Sequence, residues 1–328
     1  MARPVTLFTG QFADIPFEEV CRMMSEFGYD GLEIACWGDH MDVRKAATDP
    51  SYVEEKKAIL KKYNLGCWAL GAHLAGQLVA DKWDPRTDTF APSKLAGKPE
   101  EIRAWAAEEM TYTARAAAAM GVDVVTGFMG SPIWAYWYSF PPTPPEMVEA
   151  GFQEVKTLWD PIFDVFDEVG VKYALEVHPT EIAFDYWSSK KLFEVIERKT
   201  LGINFDPSHL VWQGMEPSIL IREFPDRIYH VHMKDAAVDD DPRSGILGSH
   251  IEFGDLRRGW NFRSPGHGDV DFELIIRALN EIGYTGPLSI EWEDNAMDRS
   301  FGAPDACAYV KSLNFAPSTV EFDGAMEN

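Results

Sequence analysis

Short apolar runs, rich in β-branched and aromatic residues, alternate with amphipathic segments along almost the whole chain. Runs of this length, bounded by glycine, proline and polar residues, predict buried β-strands. The predicted strands lie at residues 4–10, 31–37, 67–74, 122–130, 172–178, 201–206, 228–234 and 287–293.

Each predicted strand is followed by a segment with apolar residues at helical spacing. These helices cover roughly residues 16–28, 51–64, 99–120, 145–169, 189–199, 216–224, 271–282 and 303–313. Four end at a glycine typical of helix C-termini, namely Gly28, Gly121, Gly170 and Gly283. Strict alternation of strand and helix predicts the α/β class and a single closed (β/α)8 TIM barrel. An open doubly wound sheet is the alternative, but no GxGxxG motif opens the first helix.

The pattern predicts one barrel domain, residues 1–315, followed by a C-terminal tail, residues 316–328, that has no periodicity. Four strand-to-helix connections are long, at about residues 38–50, 75–98, 130–145 and 235–270. In a parallel barrel these loops meet at the C-terminal mouth, where active sites lie. We expect the last two of them to cover the site.

The amino-acid composition disfavours some classes of binding partner. With 30 basic and 53 acidic residues, the chain has a net charge of −23, which opposes binding to nucleic acid or to anionic membranes. No signal peptide opens the sequence and no apolar run is long enough to span a bilayer. The four cysteines lack CxxC spacing. We therefore expect a cytoplasmic enzyme or binding protein.

Charged and imidazole side chains share one face of the later strands. Alternation along a strand groups Glu176 with His178, His230 with His232 and Lys234, and Glu291 with Glu293. Their apolar neighbours Val177, Val231 and Trp292 then face the helices. Burying so many charges near the barrel axis is costly without compensation, and a divalent cation is the simplest compensation.

Four side chains, one from each of the last four predicted strands, are candidate ligands: Glu176, Asp206, His232 and Glu291. Three carboxylates and one imidazole suit Mn²⁺, our preferred ion, or Mg²⁺, with Co²⁺ and Zn²⁺ as alternatives. A salt-bridge network with Lys234 is the competing interpretation, but one lysine cannot balance these carboxylates. His230 lies deeper than His232, so we expect it to be structural.

The motifs at the strand ends resemble those of the xylose isomerase-like TIM-barrel superfamily. They are LEVHP, NFDPSHL, HVHMKD, PGHGDVDF and LSIEWED, together with HLAGQ after the third predicted strand. The resemblance covers about residues 4–313 and is greatest for the sugar phosphate isomerase/epimerase branch. It implies that the four candidate ligands hold one divalent metal and that His209 lies near the substrate. His73, within HLAGQ, is a further candidate for substrate binding. AP endonucleases of this superfamily need additional histidines, which GFMGS at 127–131 does not offer.

The chemistry implied by the resemblance is proton abstraction next to a sugar carbonyl, with the metal stabilising the enediolate. Glu176 and Glu291 come from strands three steps apart, so one can remove a proton and the other return one. His178 and His209 are candidates to polarise substrate oxygens or to act as the base. Each is alternatively a hydrogen-bonded residue of the inner wall.

Aromatic residues are dense near the predicted mouth: Trp37, Trp134, Tyr136, Trp137, Trp212 and Trp260. Sugar faces pack on such rings, so Trp37 and Trp134 are candidate substrate-binding residues, with loop packing or a subunit interface as the alternative. Lys234 is a further candidate for substrate binding. Glu293 is expected above the metal layer, bound to a substrate hydroxyl or to a loop arginine. Four arginines of the loop 235–270 either bind an anion or pair with Asp239, Asp240 and Asp241: Arg243, Arg257, Arg258 and Arg263.

The sequence therefore predicts a metal-dependent sugar isomerase or epimerase that takes a small carbohydrate substrate. A lyase acting through the same enediolate is the first alternative, similar to inosose dehydratases or to the catalytic subunits of keto-C-glycoside deglycosidases. A non-catalytic carbohydrate-binding barrel is the second. A homo-oligomer and a hetero-oligomer are both compatible with the sequence.

Overall fold

Eight parallel strands close into a barrel in the computed structural model, which describes residues 2–134, 139–239, 241, 243–248 and 251–319. The barrel strands are β1 (Val5–Phe8), β2 (Gly31–Ala35), β3 (Gly66–Gly71), β4 (Val124–Gly127), β5 (Lys172–Glu176), β6 (Leu201–Phe205), β7 (Ile228–Met233) and β10 (Leu288–Ile290). Sequence neighbours pair in parallel, and β10 pairs with β1 to complete the circle. The predicted closed barrel is confirmed, and the open sheet is wrong.

The α-helices of the described residues surround the barrel or lie in its loops. They are α1 (Phe17–Glu26), α2 (Val43–Thr48), α3 (Pro50–Lys62), α4 (His73–Gln77), α5 (Pro99–Met120), α6 (Pro145–Val169), α7 (Tyr186–Val195), α8 (Ser208–Val211), α9 (Ser218–Glu223), α10 (Phe272–Glu281) and α11 (Arg299–Leu313). Gly121 and Gly170 adopt φ of 73° and 72° at the ends of α5 and α6, as expected for helix-ending glycines.

Two helices begin earlier than the sequence pattern predicts. α7 begins at Tyr186 because the Asp185 side chain accepts from the backbone N–H of Ser188, while the Ser188 hydroxyl bonds back to Asp185. α11 begins at Arg299, directly after the cap residue Asp298. The sequence pattern predicts the start of this helix at about residue 303, four residues later.

The loops at the mouth contain structure that the sequence did not predict. The short helices α2, α4 and α8 all lie in strand-to-helix connections, and α4 opens with His73. Within the loop after β7, β8 (Asp235–Val238) and β9 (Trp260–Arg263) form an antiparallel hairpin. These elements anchor the loops around the strand ends.

The apolar core fills the layer between strands and helices, and Val177, Val231 and Trp292 belong to it as predicted. The alternate residues of these strands therefore face the barrel interior. Among the residues that the structure describes, no helix is long and apolar enough to cross a bilayer. Residues 316–319 are exposed and form no helix or strand, and the rest of the predicted tail lies outside the described residues.

Candidate metal centre

The four candidate ligands converge at the C-terminal end of the barrel. Glu176 ends β5, Asp206 follows β6, His232 lies in β7 and Glu291 follows β10. One donor atom of each lies within 4.8 Å of all the others, and all four residues are buried. We call these four residues the quartet. The register predicted from strand alternation therefore brings together the side chains that it singled out.

His232 stands between two carboxylates of the quartet. Its Nδ1 lies 3.0 Å from Oε2 of Glu176 and 3.0 Å from Oε2 of Glu291. Its Nε2 points the other way, 2.9 Å from Oε2 of Glu33. The imidazole thus presents one nitrogen to the quartet and the other to a carboxylate deeper in the barrel.

Two carboxylates of the quartet use one oxygen for the protein and leave the other without a hydrogen bond. Oδ1 of Asp206 accepts from the backbone N–H and the hydroxyl of Ser208, at 2.8 and 2.7 Å. Oε1 of Glu291 accepts from Gln11 Nε2 at 2.8 Å. Oδ2 of Asp206 and Oε2 of Glu291 are buried and have no hydrogen-bond partner. Such oxygens are costly unless a cation compensates them, so the quartet fits a divalent ion that prefers oxygen ligands.

Lys234 is the cation that the structure places beside Glu291. Its Nζ lies 3.1 Å from Oε1 of Glu291 and 3.5 Å from Oε1 of Glu293, and it packs 4.1 Å from the ring centroid of Phe262. Burial raises the pKa of Glu291, but the Lys234 charge outweighs it, and the pKa falls to about 2. Glu291 is therefore ionised at neutral pH.

His73 and His209 both contact Glu176. His73 Nε2 lies 3.1 Å from Oε2 of Glu176, and His209 Nε2 lies 3.1 Å from Oε1. Burial lowers the pKa of His209, but the nearby Asp206 charge and the hydrogen bond to Glu176 raise it to about 9. The Nδ1 atoms of both histidines are buried without a hydrogen-bond partner. Both residues thus orient Glu176 and keep a second polar atom available.

His178 lies beside this cluster. Its Nδ1–H donates to the carbonyl of Pro179, and its ring packs 4.1 Å from that of His209 and 4.9 Å from that of Phe128. Burial lowers the pKa of His178 well below its usual value, so the imidazole is neutral. A neutral ring with its proton on Nδ1 leaves Nε2 as an acceptor.

Three polar residues at the centre were not predicted from the sequence. Asn204, two residues before Asp206, donates to Oε2 of Glu176 at 2.9 Å. Gln11, after β1, donates to Glu291 and, at 2.9 Å, to Oε1 of Glu293. Glu33 is a lone acid within the apolar strand GLEIA, and its polarity in a buried strand is the signal that could have identified it.

Glu293 lies above the quartet, as expected, with 31% of its side chain exposed. In the structure Gln11 and Lys234 contact its carboxylate. Three of the four loop arginines form ion pairs: Arg243 with Asp241, Arg257 with Asp255, and Arg263 with Asp239. The fourth, Arg258, packs on Phe253 and Trp260. Asp240 lies outside the described residues.

Phe8 forms an aromatic wall of the centre. Its ring stacks on His232 at 5.6 Å and lies 5.1 Å from His73. Gly71 makes room for this ring, because a Cβ at that position would lie 2.3 Å from a Phe8 ring carbon. Trp37 packs edge-on against the same ring at 5.7 Å. Trp37 thus contacts Phe8, which in turn borders the metal centre.

Trp134 packs within the loops. Its indole N–H donates to the carbonyl of Ile182 at 3.2 Å, and its ring meets Phe184 edge-on at 5.4 Å. Trp212 stacks on Trp260 at 4.3 Å. These contacts match the packing alternative for the aromatic residues. Tyr136 and Trp137 lie outside the described residues.

Comparisons with known sequences agree with the barrel fold. A family model described as xylose isomerase-like TIM barrel matches residues 21–316. The uncharacterized protein YfiH of Bacillus subtilis is 24% identical over 314 residues, which are 90% of this chain and 94% of that protein. An inosose dehydratase of Clostridium botulinum is 34% identical over 105 residues, 32% of this chain and 35% of the enzyme. The chain thus matches about a third of that enzyme.

Solved structures share the fold over nearly the whole chain. The 3-keto-D-glucoside 4-epimerase YcjR of E. coli superposes with a TM-score of 0.66 at 17% identity, covering 94% of this chain and 99% of that one. A Mycobacterium smegmatis barrel in complex with magnesium gives 0.63 at 17% identity, covering 95% and 96%. The IOLI protein with a bound zinc atom gives 0.64 at 16% identity, covering 94% and 96%. At these identities the likeness concerns the fold alone.

Proposed function

The chain belongs to the xylose isomerase-like TIM-barrel family, and from that premise we propose that it is a divalent-metal-dependent sugar isomerase or epimerase. It removes a proton from the carbon next to a carbonyl and returns a proton to the resulting enediolate. The observation that carries the proposal is the convergence of Glu176, Asp206, His232 and Glu291 around two buried carboxylate oxygens without hydrogen bonds.

In this proposal the quartet holds one ion, Mn²⁺ by preference because carboxylates dominate the donor set. When bound, the ion acts as a Lewis acid that stabilises negative charge developing on the substrate oxygens. Structures of the same fold contain magnesium and zinc, which supports a divalent ion without selecting one. The donor set favours the ions that prefer oxygen ligands over zinc.

Glu176 and Glu291 are the proposed acid–base pair, with the ionised Glu291 as the group that accepts the substrate proton. They lie at the ends of β5 and β10, and β6 and β7 separate these strands in the barrel. Of two carboxylates on different sides of a bound sugar, one can take a proton from one face, and the other, after taking up a proton from solvent, can deliver that second proton to the opposite face, which inverts the carbon. His73, His209 and Asn204 hold Glu176 in place, while Gln11 and Lys234 hold Glu291. Preorganised acceptors of this kind need no reorientation during proton transfer.

Two groups of side chains are proposed to bind substrate oxygens and the sugar face. His178 offers Nε2 as an acceptor, and His73 and His209 offer Nδ1 atoms that lack partners. Lys234 and Glu293 border the opening beside Glu291. Trp37, next to Phe8, and Trp134 add aromatic surface on which sugar C–H groups pack.

A lyase is the second candidate, and the 105-residue match to an inosose dehydratase favours it. The first step is the same proton abstraction, after which the enediolate expels a hydroxyl group from the neighbouring carbon instead of being reprotonated. Loss of that hydroxyl requires a general acid, and Glu293, beside the quartet, is proposed to serve. In a keto-C-glycoside deglycosidase the aglycone leaves from the neighbouring carbon instead; the bond that breaks is a C–C bond, and the leaving carbon of the aglycone takes up the proton.

A product screen separates these candidates. The Mn²⁺-loaded protein is incubated with free ketoses, inososes and 3-keto-glycosides, and the products are identified by NMR and mass spectrometry. An isomeric sugar of unchanged mass supports the isomerase or epimerase. Loss of water or release of an aglycone supports the lyase. Sugar binding without any turnover contradicts both and supports a carbohydrate-binding barrel.

We also propose that the protein is cytoplasmic. All four cysteines are free, and Cys21 and Cys307 are buried, as in a protein that needs no disulfide. Burial raises the pKa of the Cys21 thiol to about 12, which makes it unreactive.

A further inference from the structure

Glu33 is a fully buried carboxylate in β2 that binds four side chains of the barrel interior. Its Oε2 accepts from the Ser289 hydroxyl at 2.7 Å and lies 2.9 Å from Nε2 of both His230 and His232. Its Oε1 accepts from the Thr126 hydroxyl. The strand pattern did not single out this carboxylate, and the proposed reaction gives it no role.

A second ion is one way to interpret this cluster, because Glu33, His230 and His232 have donor atoms within 4.8 Å of one another. The hydrogen bonds argue against it. An ionised carboxylate only accepts, so each imidazole that approaches Oε2 does so with a proton on Nε2. A protonated nitrogen has no lone pair for a metal, and both Glu33 oxygens already have donors.

The same argument has a consequence for His232. With Nε2 held by Glu33, the nitrogen of His232 that remains for a metal is Nδ1, which faces Oε2 of Glu176 and Oε2 of Glu291 at 3.0 Å each. Asn204 Nδ2, a donor, lies 3.2 Å from the same nitrogen. Nδ1 is thus the nitrogen of His232 through which the quartet can hold a cation.

We propose that Glu33 is a positioning residue that makes His232 a metal ligand through Nδ1. By accepting the Nε2 proton, it fixes both the tautomer and the ring orientation of His232 from the side away from the substrate. The inference rests on the metal site of the proposed function but not on the reaction. Glu33 itself touches neither the ion nor the substrate.

A purely structural role is the competing explanation, since Glu33 ties β2 to β4, β7 and β10. The two roles differ in what they change. If Glu33 only links the strands, its replacement lowers the stability of the ion-free barrel but does not change the affinity of the folded protein for the ion. A positioning residue changes that affinity even in a variant that is fully folded.

The test compares Glu33→Gln with Ser289→Ala, which removes one hydrogen bond from the same oxygen of Glu33 but leaves the contact with His232. Mn²⁺ affinity is measured by competition with a fluorescent chelator, and folding by urea denaturation with EDTA. We expect the affinity to fall roughly 10- to 100-fold in Glu33→Gln and to stay within about threefold of wild type in Ser289→Ala. An unchanged affinity in folded Glu33→Gln, or an equal loss in both variants, would overturn the proposal.

A second measurement needs no variant of Glu33, so it holds even if Glu33→Gln does not fold. The wild-type protein, labelled with ¹⁵N in histidine, is loaded with ¹¹³Cd²⁺, and His230→Gln separates the two neighbouring imidazoles. We expect ¹¹³Cd coupling at Nδ1 of His232 and a retained proton at Nε2. Coupling at Nε2 contradicts the proposal. Because neither measurement uses a substrate, failure here leaves the proposed reaction standing, and absence of turnover leaves this result standing.

Discussion

Lys234 and Glu291 form a buried ion pair at the candidate metal centre, with Nζ of the lysine 3.1 Å from Oε1 of the glutamate. Only 4% and 9% of the two side chains are exposed. The pair holds one oxygen of Glu291, while Oε2 has no hydrogen bond and faces Nδ1 of His232. One end of the carboxylate is thus anchored, and the other is directed at the quartet.

Replacing Lys234 by methionine should therefore destabilise the protein strongly. The change leaves the buried carboxylate of Glu291 without its partner, and breaking such a pair typically costs about 3–5 kcal/mol. Urea denaturation with EDTA measures the loss. The double variant Lys234→Met/Glu293→Gln, which removes one of the two unpaired charges, should recover part of it. A cost below about 1 kcal/mol for Lys234→Met would contradict the importance of the pair.

Glu291→Gln should retain the fold but lose most of the activity, whereas Glu293→Gln should lose much less. Gln keeps the shape of Glu but cannot accept the proton, and a general base contributes roughly 10²–10⁴-fold. Glu293 lies outside the quartet and is held by Gln11 and Lys234, so it is the matched control. The comparison is made by kcat on the substrate found in the product screen. Equal losses in the two variants would mean that the proton-transfer role does not belong to Glu291.

Mn²⁺ should raise the thermal stability of the protein, and EDTA should reverse the gain. An ion at about 100 times its Kd stabilises the folded state by about 2.7 kcal/mol. Asp206→Asn removes a charge from the quartet, whereas Asp226→Asn removes one from an exposed position on the surface. Scanning calorimetry should show that the Mn²⁺-dependent rise in Tm persists in Asp226→Asn and is lost in Asp206→Asn. The same rise in both variants would place the ion elsewhere.

Asp81 should make the protein lose stability as the pH rises from 4.5 to 7. Burial raises the pKa of Asp81 to about 6, although the backbone N–H of Ser131 and the side chain of Gln77 donate to it. The folded state therefore binds this proton more tightly than the unfolded chain does, where the pKa is about 3.9. The stabilising contribution is complete below pH 4 and is lost as the pH passes through about 6.

The free energy of unfolding of wild type relative to Asp81→Asn should thus fall by about 2 kcal/mol between pH 4.5 and 7. Urea denaturation across this range, with EDTA in every sample, measures the difference. Asp255→Asn is the control, because hydrogen bonding to Arg257 lowers the pKa of Asp255 to about 2. Its difference from wild type should stay flat above pH 4.5. A pH-independent difference for Asp81→Asn would contradict the raised pKa.

The barrel and the quartet could be predicted because both follow from short-range patterns. Alternation along a strand assigns Val177 to the outer layer and Glu176 to the interior, and the structure places both there. In a parallel barrel all strand ends lie at one mouth, so residues far apart in sequence are brought together by topology alone. The two-residue spacing of Glu291 and Glu293 likewise predicted that only Glu291 belongs to the quartet and that Glu293 lies closer to the opening of the barrel.

The contacts within the centre depend on partners that the sequence does not reveal. Glu33 meets His230 and His232 across the barrel, 197 and 199 residues away, and no local pattern encodes that distance. The hairpin of β8 and β9 lies within a loop whose turn residues do not mark it. The sequence left open whether the loop arginines bind an anion or an aspartate. In the structure some of them form short-range ion pairs, such as Arg243 with Asp241.

Exchange of substrate hydrogen with D₂O tests the central claim most directly, because it follows proton abstraction whatever the product. The Mn²⁺-loaded wild type is incubated in D₂O with ketoses, inososes and 3-keto-glycosides, beside Glu176→Gln, Glu291→Gln and Glu293→Gln. We predict that deuterium enters the carbon next to the carbonyl of at least one substrate. That exchange should fall by roughly 10²-fold or more in the first two variants and persist in the third. Exchange at the wild-type rate in Glu291→Gln, or no exchange into any substrate that binds, would contradict the account.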